Sequence, residues 1–188
     1  MTISRRSWFA AALLLPAVCE AVAQSPWPAP GLRIIVVYPP GGLSDGVARA
    51  LADQLTTTLG VPVRVEHRAG GGGSVGMQAL ARSAADGHTL AFSAVSPLTL
   101  RPHLGAVGYD PLRDIVPVAS VMFTPVVLVG TPAFSGSQFA DVVAQARARP
   151  HELRWASSGL ATAGHLVLEQ VQSLGEAWGV HPAASHVT

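Results

Sequence analysis

From residue 32 onward, apolar positions fall into short runs that switch between two periods. Residues 32–37 are almost continuously apolar and β-branched, the pattern of a strand buried on both faces. Tyr38-Pro39-Pro40-Gly41-Gly42 stops that run, because two prolines cannot continue a ladder. Val47, Ala48, Leu51, Ala52, Leu55 and Leu59 then recur at three- and four-residue steps and predict a helix. Ser44 or Asp45 is expected to cap its start, and Gly60 to end it. Residues 61–66 alternate as a second strand. Residues 69–73 form a glycine-rich loop that reads as a surface turn, and Ser74 is expected to cap a helix running to Arg82. After the Asp86-Gly87 turn, residues 88–94 predict a third strand.

Beyond that point the pattern loosens. Residues 97–104 predict one short helix with Pro97 in its first turn. Tyr109-Asp110-Pro111 is a turn. Residues 115–121 and 125–129 are strand-like and would form a crossover or hinge. Residues 136–149 predict an amphipathic helix, with Phe139, Val142, Val143 and Ala146 on one side. A short strand at 153–156, a small-residue loop at 157–164 and a helix at 165–174 follow. Residues 175–188 have no periodicity. Strand–helix alternation of this kind implies an α/β fold with mainly parallel sheets.

The first 23 residues stand apart. Arg5 and Arg6 precede an apolar run over residues 8–18, and Ala21-Val22-Ala23 closes it. A basic start, a short apolar middle and a small-residue end predict an export signal cleaved near Ala23. The run is too short to span a bilayer. Ser4-Arg5-Arg6-Ser7-Trp8-Phe9 also resembles a twin-arginine signal. The single Cys, Cys19, lies in this segment, so the mature chain has no disulfide, no thiolate nucleophile and no cysteine metal site.

Composition narrows the chemistry. All 12 basic residues are Arg, against 11 acids. The absence of Lys removes Schiff-base chemistry and a P-loop. Near-neutrality leaves no basic stripe for nucleic acid. The seven His show no ligand spacing, so no metal is expected.

Three strand-to-helix loops remain as candidate chemistry. In residues 39–45, open helix amides favour an anion, and Gly41 and Gly42 let a ligand approach the backbone; Ser44 and Asp45 add polar contacts or only cap the helix. The second loop contains G-x-G-x-x-G at Gly71, Gly73 and Gly76, but no acidic residue follows about 20 positions later, as a dinucleotide site requires. The third, residues 157–165, offers Ser157, Ser158, Gly159, Thr162 and His165 as a second polar cradle. A serine hydrolase is the rival there, yet no G-x-S-x-G elbow is present.

These residues carry a resemblance. Arg33-Ile34-Ile35-Val36-Val37-Tyr38-Pro39-Pro40-Gly41-Gly42 with Asp45 resembles the opening of Bug-type receptors, the periplasmic solute-binding proteins of tripartite tricarboxylate transporters. Val65-Glu66-His67-Arg68-Ala69-Gly70, Asp86-Gly87-His88-Thr89-Leu90, Tyr109-Asp110-Pro111 with Asp114, and Trp155-Ala156-Ser157-Ser158-Gly159 with His165-Leu166 resemble later family motifs, in order. Leu43, Leu160 and Ala161 depart from it, standing where the family is smaller or more polar.

The resemblance implies a type II periplasmic-binding-protein (Venus-flytrap) architecture. A first lobe would occupy residues 24–120, a partial, truncated second lobe 121–174 and an atypical tail 175–188. It implies a monomeric receptor without catalysis or cofactor. A small carboxylate solute would be held between the lobes and presented to membrane transporter subunits. Gly41, Gly42, Ser44 and Asp45 would line the first lobe, with Ser93 and Ser96 beside them. Ser157, Ser158, Gly159, Thr162 and His165 would line the second. The alternatives are an α/β enzyme (a nucleotide-dependent oxidoreductase or serine hydrolase) and a non-functional receptor fragment.

Overall fold

In a computed structural model of the chain, the described residues are 27–149, 154–157, 159–177 and 186–187. The expected export signal, Cys19 and Ser158 lie outside them. The element order is β1 (Leu32–Val36), α1 (Leu43–Leu59), β2 (Val63–His67), α2 (Ser74–Ala81), β3 (Thr89–Phe92), α3 (Ser96–Thr99), α4 (Arg101–Leu104), α5 (Phe139–Ala148), β4 (Trp155–Ala156), α6 (Ala163–Ala177) and β5 (His186–Val187). A 3-10 turn at Gly71–Gly73 leads into α2.

β1 is the middle strand of a three-stranded sheet of order β2-β1-β3, and both pairings are parallel. Its side chains alternate between two cores. Ile34 and Val36 pack with Ala48 and Ala52 of α1 and with Phe92. Val37 joins Met77 of α2, Tyr109 and Ile115 on the other side. The chain steps from β1 to β2 in one direction and from β2 to β3 in the other. With right-handed crossovers, reversing the step puts α1 and α2 on opposite faces. The continuous apolar run at 32–37 is thus the signature of a strand covered twice.

Several expected elements take a different form. Gly42, not Ser44 or Asp45, is the N-cap of α1, so Ser44 and Asp45 sit within the first turn. The helix expected over 97–104 is two single turns that break at Leu100, because Pro102 supplies no N–H and crowds the preceding turn. The expected strands at 115–121 and 125–129 are absent among the described residues. Ile115 is buried with Val37, but the apolar side chains after it stand open, with Val116 at 81% and Val129 at 79% of full exposure. A strand needs a neighbour for its backbone groups, and these runs have none among the described residues. Conversely, His186–Val187 pairs in parallel with Trp155–Ala156, inside a tail that has no readable period; two residues are too few to show one. Among the described residues, no helix is long and apolar enough to cross a membrane.

Ile34→Ala removes a side chain that is 2% exposed and is expected to destabilise the chain by about 3 kcal/mol. Val116→Ser, at an open position, is expected to cost less than about 0.5 kcal/mol. Urea unfolding of both variants checks the contrast.

Candidate functional site

In a sheet whose order reverses at β1 and β3, the ligand crevice is expected outside the carboxyl ends of those two strands. Two turns form its walls: residues 37–42 after β1 and residues 93–95 after β3. Tyr38 belongs to the first turn and Ala94 to the second. Burial raises the Tyr38 phenol above its ordinary pKa, and a backbone hydrogen bond with Ala94 opposes that shift. The two turns are therefore in contact.

The first wall is organised by Asp45. Its carboxylate accepts a hydrogen bond from the Gly41 amide (2.8 Å), a contact from His67 Nε2 (2.9 Å) and another from Arg49 Nε (2.8 Å). Asp45 is buried, and its pKa lies below the usual carboxylate range, chiefly because of the Gly41 N–H; His67 and Arg49 add to the effect and burial opposes it. The group is fully engaged within the protein, so it shapes the 39–42 turn and has no donor to offer. The Gly42 carbonyl accepts from the Asp45 and Gly46 amides. The amides of Leu43 and Ser44 have no hydrogen-bond acceptor among the described residues. These two N–H groups stand open at the positive end of a 17-residue helix.

On the second wall, the Ser93 hydroxyl donates to the Ala94 carbonyl (2.9 Å). Ser96 is buried and its Oγ accepts the amide of Ala163, the first residue of α6 (3.1 Å). That one bond ties the start of a helix 67 positions away to the turn after β3.

The glycine-rich turn fits between these parts. Gly73 is buried with φ +96°, and a Cβ there would stand 2.5 Å from Pro97 Cγ and 3.0 Å from Val37 Cγ2. A Cβ on Gly72 would lie 2.9 Å from the Leu160 carbonyl oxygen. The turn is a packing joint, not the free surface turn its composition suggests. A Cβ on Gly76 would lie 2.6 Å from Val37 Cγ1 and 2.9 Å from the Arg68 carbonyl oxygen. Protein atoms thus fill the space a dinucleotide pyrophosphate would need.

The third loop is largely self-satisfied. Thr162 Oγ1 donates to the Gly159 carbonyl (2.8 Å), and Ser157 Oγ lies 3.4 Å from both the nitrogen and the oxygen of Gly159. The Ala161 amide donates to His165 Nδ1 (3.0 Å). Nδ1 is therefore the acceptor, and the proton sits on Nε2, 3.2 Å from Glu169. Ala161 takes φ +60°, unusual outside glycine, so this loop holds a strained conformation.

The structure brings Ser96, the 71–73 turn and residues 160–163 into one contiguous locus. Gly41, Gly42, Ser44 and Asp45 occupy the neighbouring turn, with no hydrogen bond to residues 157–165 among those described. Sequence reading missed His67, which holds Asp45, and Arg101, whose Nε is buried without a hydrogen-bond partner among the described residues. Arg101 lies against Gly72, and its charge acts on Tyr109. Nothing in the local sequence marks either residue, since both contacts are made across elements. Among the described residues, no group of three or more His, Cys, Asp or Glu is placed to hold a metal ion.

The chain is similar to known proteins in family pattern, in sequence and in fold. Residues 47–183 match the family model "Tripartite tricarboxylate transporter family receptor". The chain is 40% identical over 160 residues to Protein BugT of Bordetella pertussis, covering 82% of this chain and 48% of that protein. The solved structure of Rpa4515 of R. palustris with adipate matches with a TM-score of 0.66 at 26% identity, over 86% of this chain and 53% of that one. MatC of Rhodopseudomonas palustris with bound malate matches in fold, with a TM-score of 0.72 at 24% identity, over 86% of this chain and 54% of that one. The chain spans about half the length of the curated relatives it matches.

Ser96→Ala deletes the acceptor of the Ala163 amide and is expected to cost about 1 kcal/mol, with faster hydrogen exchange at Ala163 than at residues later in α6. A second test concerns pH. Because the Asp45 pKa is lowered on folding, its contribution is present above the ordinary carboxylate value and is lost as pH falls through the folded value. The Gly41 amide resonance is expected to titrate with a midpoint below 3.8, and Asp45→Asn to abolish that titration.

Proposed function

The chain belongs to the tripartite tricarboxylate transporter receptor family, and from that premise we propose that it acts as the solute-binding receptor of such a transporter. It is exported to the periplasm, its leader removed near Ala23. It captures a small carboxylate-bearing metabolite and presents it to membrane transporter subunits, with no bond made or broken. Relatives solved with adipate and with malate support the carboxylate class.

The observation that carries this reading is the pair of open amides on Leu43 and Ser44, at the mouth of the β1–β3 crevice. A carboxylate accepts two such N–H groups at once, and the helix dipole adds to the attraction. Ser44 and Ser93 supply hydroxyls beside it. From the other side come the loop of Ser157, Gly159, Thr162 and His165, and Ser158 next to them in the chain. Asp45 contributes indirectly, by holding Gly41 and Gly42 in the turn that leaves those amides open. Closing the loops over the ligand would shift a two-state equilibrium by the ligand's differential contacts.

Calorimetric titration and thermal unfolding with succinate, malate, adipate and citrate test the reading. At a concentration 100 times its Kd, a true ligand stabilises by about 2.7 kcal/mol, a rise of several degrees in the unfolding midpoint. Leu43→Pro is the discriminating variant. It deletes one open amide, and proline is accepted at the first helical position after the extended Gly42. The variant is expected to bind the best acid about tenfold more weakly, the value of one charge-assisted hydrogen bond, with an unchanged midpoint in the absence of ligand. Acids that leave the midpoint unmoved, or a Leu43→Pro chain that binds as tightly, would overturn the reading.

A further inference from the structure

On the sheet face that carries α2, away from the crevice, lies a groove of about 600 Å³. One long wall is α2 with its C-cap, presenting Val75, Gln78, Ala79 and Arg82 at helical spacing; the opposite wall is Arg33, Glu66 and Arg68. Val75 and Ala79 make part of its lining apolar. The rest is unbalanced in charge, with three guanidiniums and one carboxylate. That carboxylate is already taken. Glu66 accepts from Arg68 Nε (2.6 Å), is also paired with Arg68 Nη2, and lies 3.5 Å from Arg33 Nη1. Arg33 is also fixed, through Nε to Thr89 Oγ1 (3.1 Å) and through Nη2 to Ser83 Oγ (3.3 Å). The Arg82 side chain is exposed and has no hydrogen bond or ion pair among the described residues.

Three of the chain's 12 basic residues therefore converge on one groove of a nearly neutral protein. None of them belongs to the ligand crevice. From Val75 to Arg82 the helix wall runs about 10 Å, the length of about three residues of extended chain. The apolar lining and cationic rim suit a segment with an apolar side chain between acidic ones better than a bare anion.

We propose that this groove is a docking surface for an acidic segment of a partner protein. Arg82 and the remaining nitrogen of Arg68, Nη1, take the partner's carboxylates, and Val75 and Ala79 receive an apolar side chain between them. The charges are solvent-exposed, so binding is weak and sensitive to salt.

Fluorescence anisotropy tests this on the whole chain, with a labelled ten-residue peptide alternating glutamate and leucine. Binding at 20 mM salt is expected, with at least a tenfold loss at 300 mM. Arg82→Glu is expected to weaken it at least fivefold, and Ala84→Asp, at the groove's rim, to weaken it too. Both positions are exposed, so circular dichroism and the unfolding midpoint should match the parent chain. Equal affinity of parent and Arg82→Glu chains, or equal binding of a lysine–leucine peptide, would overturn the proposal. So would full displacement of the peptide by equimolar succinate or phosphate, or an Arg82-dependent preference for phosphatidylglycerol vesicles over the peptide.

Discussion

The two-sided burial of β1 is the constraint on which everything else rests. Ile34, Ile35, Val36 and Val37 are each 2% exposed or less. Successive residues face opposite sides, so one side chain in two supports α1 and the next supports the layer beneath α2. A slip of one residue would exchange the two cores and cannot be tolerated. With the register held, the turns after β1 and β3 must emerge side by side at one edge. The crevice is thus a consequence of strand order, not of any particular polar residue.

What makes the crevice usable is a division of labour among its polar groups. Asp45, Ser96, Thr162 and His165 have chemistry-bearing side chains, yet each is engaged in holding a turn or a helix start. The groups left open are backbone amides at the start of α1. In the proposed reading, a site built this way recognises the charge and shape of a carboxylate while offering little side-chain signature of the rest of the solute. It also explains why buried glycines crowd the region. Gly72 and Gly73 allow the 160–161 carbonyls and Pro97 to approach where any side chain would collide.

The apolar segment from Val116 to Val129 stands in contrast to this packed half. Apart from Met122, which packs against the core beneath α1, its apolar residues have strand-like composition and remain open. β-propensity describes how well a side chain fits a pleated, half-buried surface, and it has no force without that surface.

The local sequence was sufficient for the elements whose evidence is local. The run at 32–37, the periodic stripe from Val47 to Leu59, and Gly60 as its terminator could be read directly, because periodicity and turn chemistry act over a few residues. So could the three loops, each marked by glycine or serine between a strand and a helix, and the motif order that pointed to a receptor family. Only the tertiary structure decided how those loops are used. It moved Asp45 from helix cap to turn anchor through His67, 22 positions away, and turned a glycine tract into a joint against Pro97. It also left two strand-like runs unpaired and gathered three arginines into one groove. Each of these depends on contacts between residues distant in the chain, and a one-dimensional pattern carries no record of which distant partner will arrive.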